Sequence, residues 1–188
     1  EFGKSLAREM AKVMNNKGKI AVLAGNKVAL NLQRRLQGIK EELKKYPEIE
    51  LPEEYIFHNI DVPNLASAVV AREQAKHPDI QGWIFVTSPP LLIKNSLKWN
   101  PGEVKVVAGQ AVPAELEYVK SGYVQTLVGI NCFLLGYKSV EILLDKVLFN
   151  KNPKDPFVYT PLIPVTSVNV EEWSLNWKKW LLKEAAYK

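Results

Sequence analysis

Residues Gly18–Leu43 read GKIAVLAGNKVALNLQRRLQGIKEEL. Lys19–Gly25 is an almost continuous apolar run, as expected of a strand covered on both faces. A short polar turn follows, and then Leu32, Leu36, Ile39 and Leu43 recur at helical spacing beneath a charged face. Strand, turn and helix in this order are the first half of a βαβ unit, whose loop sits where ligands bind in open parallel sheets. The loop AGNKVALN carries one glycine, so it is neither a dinucleotide fingerprint nor a phosphate cradle.

The same alternation extends outward. Further strand candidates are Glu54–Ile60 (EYIFHNI), Gly82–Ser88 (GWIFVTS), Val104–Gln110 (VKVVAGQ) and Thr126–Asn131 (TLVGIN). Between them, Leu65, Val69 and Arg72 mark one helix, ended by KHPD. PAELEYVKSG marks a short one, with Pro113 at its start and Gly122 past its end. CFLLGYKSVEILLDKVL is a longer helix, closed by the turn-rich NKNPKDP. The pattern predicts an α/β fold, a three-layer doubly wound parallel sheet with right-handed crossovers and flavodoxin-like strand order 2-1-3-4-5. Beyond Pro156, FVYTPLIPV is extended, and its prolines demote it to an edge or crossover strand. A last helix starts at NVEEW, with Asn169 and Glu172 spaced as a capping box. Trp173, Trp177, Trp180 and Leu181 share one of its faces, which is expected to pack on the body.

The chain has 188 residues and a formal charge of +5. Its charges are interspersed, as in EELKKYPEIELPEE, which describes a solvated surface and not a nucleic-acid stripe. Cys132 is the only cysteine, so no internal disulfide is possible, and a small buried apolar role is expected for it. No apolar run is long enough to span a bilayer. The opening EFGKSLAREMAKVM is already an amphipathic helix, with Phe2, Leu6, Met10 and Val13 on one face. A chain that opens inside a helix, with neither cap nor leader, reads as one cut at its start, although a cytosolic protein would also lack a leader.

Polar residues gather after the strands: Asn26, Asn31 and Gln33; Asn59 and Asp61; Thr87 and Ser88; Gln110; and Asn131. Amides, hydroxyls and a carboxylate suit neutral polyols, because each can exchange hydrogen bonds with hydroxyl groups. Helix caps and turn formers share this composition, and position by position that reading weighs slightly more. Recurrence at every strand end supports the collective reading. Catalytic motifs are missing: there is no G-x-S-x-G elbow or Walker loop. His58 and His77 have no metal-ligand spacing to other donors. Neither catalytic residues, metal ligands nor a cofactor are expected.

The ordered set GKIAVLAG, NLQRRLQGIKEEL, HPDIQGWIFVTS, VKVVAGQAVPAELEYVKSGYVQTLVGIN and LGYKSVEILLDKVL resembles the type I periplasmic sugar-binding proteins, the ribose-binding-like solute receptors of ABC importers. AVPAELEYVKSGYVQTLVGINCFLLGY is also similar to their rhamnose- and autoinducer-2-binding branch. The resemblance implies two α/β lobes joined by three crossings, of which this chain supplies mainly the carboxyl-terminal one. Residues 1–128 would form that lobe and 129–155 would belong to the missing N-terminal lobe. Residues 156–188 would return to the first.

By position, the ribose-binding pattern puts a sugar-contacting arginine at Gln33, an asparagine at Thr87, the aspartate of a GFD motif at Gln110 and a hinge glutamine at Ile130, beside Asn131. Asp61 lies near a ligand-wall position. Glutamine at 33 and 110 departs from the ribose pattern, so the expected ligand is a sugar or related polyol of open identity, held by Asn31, Gln33, Asp61, Thr87, Gln110 and Asn131. Arg35 matches a helix arginine with a structural role. The implied partners are a sugar ligand, the permease of an ABC transporter and the missing lobe. The implied location is periplasmic or extracellular, with a lipid anchor on the preceding segment as one mode of attachment. A LacI-type effector domain has the same fold but requires DNA-binding helices upstream, and an enzyme of doubly wound fold rests on fold analogy alone. Finally, Phe133, Leu134, Tyr137, Val140, Ile142, Leu143, Leu144, Val147 and Leu148 cover much of one helix. With the other lobe absent, that helix is expected to fold back on its own lobe or to dock on a second copy in a homodimer.

Overall fold

A computed structural model describes residues 1–185, with side-chain surroundings through Leu181. The helices are α1 (Phe2–Val13), α2 (Leu30–Leu43), α3 (Pro63–Lys76), α4 (Leu116–Lys120), α5 (Cys132–Phe149) and α6 (Val170–Ala185). The strands are β1 (Gly18–Gly25), β2 (Ile49–Glu50), β3 (Ile56–His58), β4 (Gly82–Phe85), β5 (Lys105–Gln110), β6 (Thr126–Ile130) and β7 (Leu162–Val165).

The sheet runs β2-β1-β4-β5-β6-β7, with β3 also paired to β1. All pairings are parallel except β6 with β7, where Leu127 faces Val165 and Val128 faces Pro164. The doubly wound order expected from the sequence is present, with the proline-bearing segment as an antiparallel edge. Pro164 is tolerated there because an edge strand has one side without ladder partners. The expected second strand is shorter and divided: Ile49–Glu50 pairs with the start of β1, a 3₁₀ turn covers Glu53–Tyr55, and Ile56–His58 pairs with its end. Pro52, preceding that turn, has no N–H to carry the ladder through.

Side chains alternate across the sheet with period two. Ile20, Val22, Ala24, Ile84, Val86, Val107 and Val128 pack with Leu6 and Met10 of α1 and Leu32 and Ile39 of α2. Ala21, Leu23, Trp83, Phe85, Val106, Ala108 and Leu127 pack with Ala66 and Val70 of α3, Leu116 and Val119 of α4, and Trp173 of α6. Two covered faces explain why the central strands lack polar alternation.

Three helical expectations change. On α3 the buried stripe is Ala66, Val70 and Glu73, one residue along from the expected Leu65, Val69 and Arg72, and Leu65 is half exposed. Ala66 and Val70 are buried in the core, and with that face inward the neighbouring Leu65 is turned outward. Asn169 does not form the expected box: its Oδ1 accepts from Thr166 N at 2.8 Å and its Nδ2 donates to Pro164 O at 3.0 Å, which ties the start of α6 to β7. Trp173, Trp177 and Trp180 pack on the core as expected, whereas Leu181 is exposed.

α5 does not fold back. It has no buried residue; Leu143, Val147 and Phe149 are 61%, 69% and 72% exposed, and its first turn reaches the body through Phe133 stacked on Trp180. Cys132, expected to be buried, is exposed for the same reason: it opens a helix that leaves the sheet. No helix among the described residues is long and apolar enough to cross a membrane.

Candidate functional site

Because β1, β3, β4 and β5 are parallel, their carboxyl ends share one edge of the sheet, and the loops there form its rim. At that edge β1 ends on Gly25, whose φ of +74° favours glycine. A Cβ there would lie 2.7 Å from Leu32 Cδ1 and within 3.4 Å of Asp61 Oδ1 and 3.6 Å of Thr87 Oγ1. The bare backbone thus lets the β3 and β4 loops converge over it. Thr87 Oγ1 donates to Asp61 Oδ1 at 3.1 Å. Asp61 is exposed and Thr87 half-buried. The remaining carboxylate lone pairs and the threonine oxygen offer acceptors to incoming hydroxyl groups.

The next residue, Ser88, is buried and links to β5. Its Oγ lies 3.4 Å from Gln110 Oε1 and hydrogen-bonds Glu115 Oε1. Gln110 has a φ of +100° and Ala111 of +69°, both in the left-handed region that side chains disfavour. Three neutral groups and a carboxylate hold this turn. Glu115 Oε2 accepts from Ala111 N at 2.8 Å and Val112 N at 3.0 Å, and Ala111 O accepts from Trp173 Nε1 and Trp177 Nε1 at 2.8 and 2.9 Å. Burial pushes the Glu115 carboxyl up to about 7, against the opposing pull of Ser88 and the amides of Val112 and Ala111.

Of the other candidates, Gln33 and Asn131 carry local side-chain hydrogen bonds and Asn31 carries none among the described residues. Gln33 Nε2 donates to Lys27 O and Asn26 Oδ1 accepts from Val28 N at 3.0 Å, so the β1–α2 loop is held by its own side chains. Asn31 stands exposed on the first turn of α2. Asn131 is the N-cap of α5, its Oδ1 accepting from Leu134 N at 2.8 Å. Asp61, Thr87 and Gln110 are therefore brought to one rim, while Gln33 holds its own turn, Asn131 caps α5 and Asn31 stands exposed in the first turn of α2. Arg35 donates to Val86 O at 3.2 Å and stacks on Phe2 at 3.9 Å, a structural contact between helix layer and sheet. Sequence reasoning missed Glu115 and the indole pair. Glu115 was legible as a glutamate at the third position after the helix cap Val112, a spacing that returns the carboxylate to the cap amide.

The rim is an open wall. The nearby concavity of about 490 Å³, lined by Leu91, Leu92, Leu97 and Tyr118 among others, contains none of the six candidates. Ser88 beside Glu115 has the outline of a nucleophile and its base, but they are 1% and 0% exposed, so no substrate atom reaches the hydroxyl. Among the described residues no three His, Cys, Asp or Glu side chains gather to hold a metal.

A family profile described as a periplasmic binding protein domain matches residues 1–151. No curated protein matches. Among solved structures, an ABC-transporter solute-binding protein from Burkholderia graminis in complex with D-arabinose is 27% identical with a TM-score of 0.78 over 89% of this chain and 59% of its own. An arabinose-binding protein from Geobacillus stearothermophilus is 23% identical, TM-score 0.75, over 91% and 61%. A sugar-binding protein of a sugar ABC transporter from Bacillus halodurans is 20% identical, TM-score 0.80, over 92% and 63%. The chain thus spans about three fifths of the length of these relatives.

Proposed function

Because the chain belongs to the periplasmic binding protein domain family, we propose that it is the carboxyl-terminal lobe of a sugar receptor serving an ABC importer outside the cytoplasmic membrane. Residues 1–128 and 156–188 supply one wall of the cleft, and 129–155 belongs to the opposite lobe. The observation that carries this reading is the excursion of α5. β6 and β7 lie side by side in one sheet, yet the helix between them has an apolar circumference and no buried residue. Such a helix requires a partner surface, and about two fifths of the solved relatives' own length lies outside the match and is available to provide one.

In this reading Asp61, Thr87 and Gln110 are the wall that meets the sugar, with Asn31, Gln33 and Asn131 at its margins. Closure of the second lobe completes the hydrogen bonds and forms the surface presented to the permease. The neutral and acidic character of the wall supports an uncharged polyol. The test is titration calorimetry with D-arabinose, D-allose and myo-inositol, on the 188-residue chain and on the protein with both lobes. The two-lobe protein binds at least one of them and the single lobe binds none tightly, because half a cleft leaves the ligand in water. Tight binding by the lobe alone, or no binding by either, would overturn the reading.

A further inference from the structure

Glu115 is fully buried, yet no cation among the described residues pairs with it. Its two oxygens have different duties. Oε2 is committed as an acceptor to the amides of Ala111 and Val112, so a proton on this carboxyl resides on Oε1, against Ser88 Oγ. Ser88 Oγ also faces Gln110 Oε1 at 3.4 Å. A serine hydroxyl has one proton and can donate to only one of these two oxygens. The backbone from Gln110 to Val112 is pinned by Glu115 beneath and by two indoles on Ala111 O, which leaves the Gln110 amide as the part able to turn.

We propose that Glu115 and Ser88 form a proton-linked relay that decides whether Gln110 offers the ligand an acceptor or a donor. When Glu115 takes a proton from solvent on Oε1, it donates to Ser88 Oγ, and the serine proton turns to Gln110 Oε1. The Gln110 NH₂ group then faces the cleft. When Glu115 is ionised, Ser88 must donate to it and presents only lone pairs to Gln110. The amide turns over, its Nε2 donates to Ser88, and Oε1 faces the cleft. The two ends of a glutamine amide are nearly the same size, so the partner decides the orientation. The inference rests on the reading of Gln110 as a wall residue for its bearing on ligand, but not for the relay itself.

Among the described residues, the charged groups on the neighbouring elements do not compete for this proton. Lys94, on the segment after Ser88, is exposed; Glu117 of α4 is exposed; and Lys120 of α4 pairs with Glu171 of α6 at 2.8 Å. None contributes to the Glu115 shift, which is set by burial, Ser88 and the two amides. Its midpoint of about 7 makes the relay switch near neutrality.

Nuclear magnetic resonance of the 188-residue chain tests the relay. The Cδ of Glu115 and the side-chain amide of Gln110 are followed from about pH 5.5 to 8.5. Both titrate with one midpoint. In Ser88→Ala the Glu115 midpoint moves upward, because a bond to its ionised form is lost, and the Gln110 amide becomes insensitive to pH. In Glu115→Gln both responses vanish. A Gln110 amide that stays flat while Glu115 titrates, a response that survives Ser88→Ala, or a Glu115 that does not titrate in this range would each overturn the proposal. If Glu115→Gln does not fold, Ser88→Ala decides alone. A separate arm measures D-arabinose affinity of the two-lobe protein at both pH extremes, where the mismatch of one hydrogen bond predicts about a tenfold change that Ser88→Ala removes. Absence of arabinose binding at every pH moves this arm to D-allose and myo-inositol; failure of all three would count against the sugar-receptor reading and leave the resonance result to judge the relay.

Discussion

Trp173 of α6 donates its indole N–H to Ala111 O at 2.8 Å, across a sequence separation of 62 residues. Trp177 donates to the same oxygen at 2.9 Å. The last helix, reached only after the α5 excursion, thereby braces a turn in which two consecutive non-glycine residues adopt positive φ. Such conformations cost about 1–3 kcal/mol each and persist where surrounding contacts over-determine them.

Because one carbonyl serves both indoles, the two tryptophans are energetically coupled. Trp177→Phe should destabilise by about 1 kcal/mol and Trp173→Phe, which is more deeply buried, by about 2 kcal/mol. The double substitution leaves Ala111 O without either donor and should exceed the sum of the two. Urea denaturation of the four proteins measures this, and strict additivity would show that the carbonyl is not shared in solution.

Gly3 and Gly136 are both helical, but only one is indispensable. A Cβ on Gly3 would lie 1.9 Å from Arg35 O, whereas one on Gly136 meets nothing within 4 Å. Gly3→Ala must push α1 away from α2 and should cost about 3 kcal/mol or more. Gly136→Ala should stabilise α5 by about 0.5–1 kcal/mol through helix propensity alone. Thermal melts of the two variants should therefore shift in opposite directions.

Stability should fall as pH rises through the acid-to-neutral range. Glu115 ionises at about 7 when folded against an ordinary value of 4.5, so between these values the folded state binds more protons than the unfolded one. The contribution is complete below about pH 4.5 and lost by about pH 7, and it amounts to about 3 kcal/mol. Glu115→Gln should flatten this slope, read by urea midpoints at several pH values. An unchanged slope would place the titrating group elsewhere.

Removing the wall should affect ligand and not fold. Asp61→Ala and Thr87→Val alter an exposed contact at the sheet edge, so stability should change by less than about 0.5 kcal/mol. Sugar affinity of the two-lobe protein should fall by about tenfold or more in each. Calorimetry with wild-type stability but undiminished affinity would move the wall elsewhere along the rim.

The exposed face of α5 should make the isolated chain self-associate. Leu143 and Val147 are both more than half exposed, and burying each such side chain is worth about 1.5–3 kcal/mol. Light scattering should show mass rising with concentration, and Leu143→Glu with Val147→Glu should restore a monomer. A wild-type monomer at all concentrations, with α5 still helical, would show that the helix does not need a cover and that the lobe boundary near Gly129 is misplaced.

The fold was legible because its signals are local. Continuous apolar strands imply two covered faces, and Ile20, Val22 and Ala24 do face one core while Ala21 and Leu23 face the other. Leu32, Leu36, Ile39 and Leu43 marked the inner face of α2, and the prolines of the last extended segment marked a sheet edge. The strand-end position of Asp61, Thr87 and Gln110 followed from the same order. Periodicity alone misjudged α3, because the stripes through Leu65 and Val69 and through Ala66 and Val70 are both apolar and differ by one residue.

What remained hidden depended on residues distant in the chain. Whether an amide caps a helix, as Asn131 does, or holds its own loop, as Gln33 does, is decided by where backbone donors and acceptors arrive in space. The burial of Glu115 is likewise a consequence of the segments after β4 and β5 meeting around it, and that meeting raises its proton affinity and gives Ser88 two competing acceptors. Patterns of apolar spacing act over one or two turns and are written in the sequence. Hydrogen-bond assignment and the local dielectric are set by the assembled neighbours, and no short stretch of the sequence contains them.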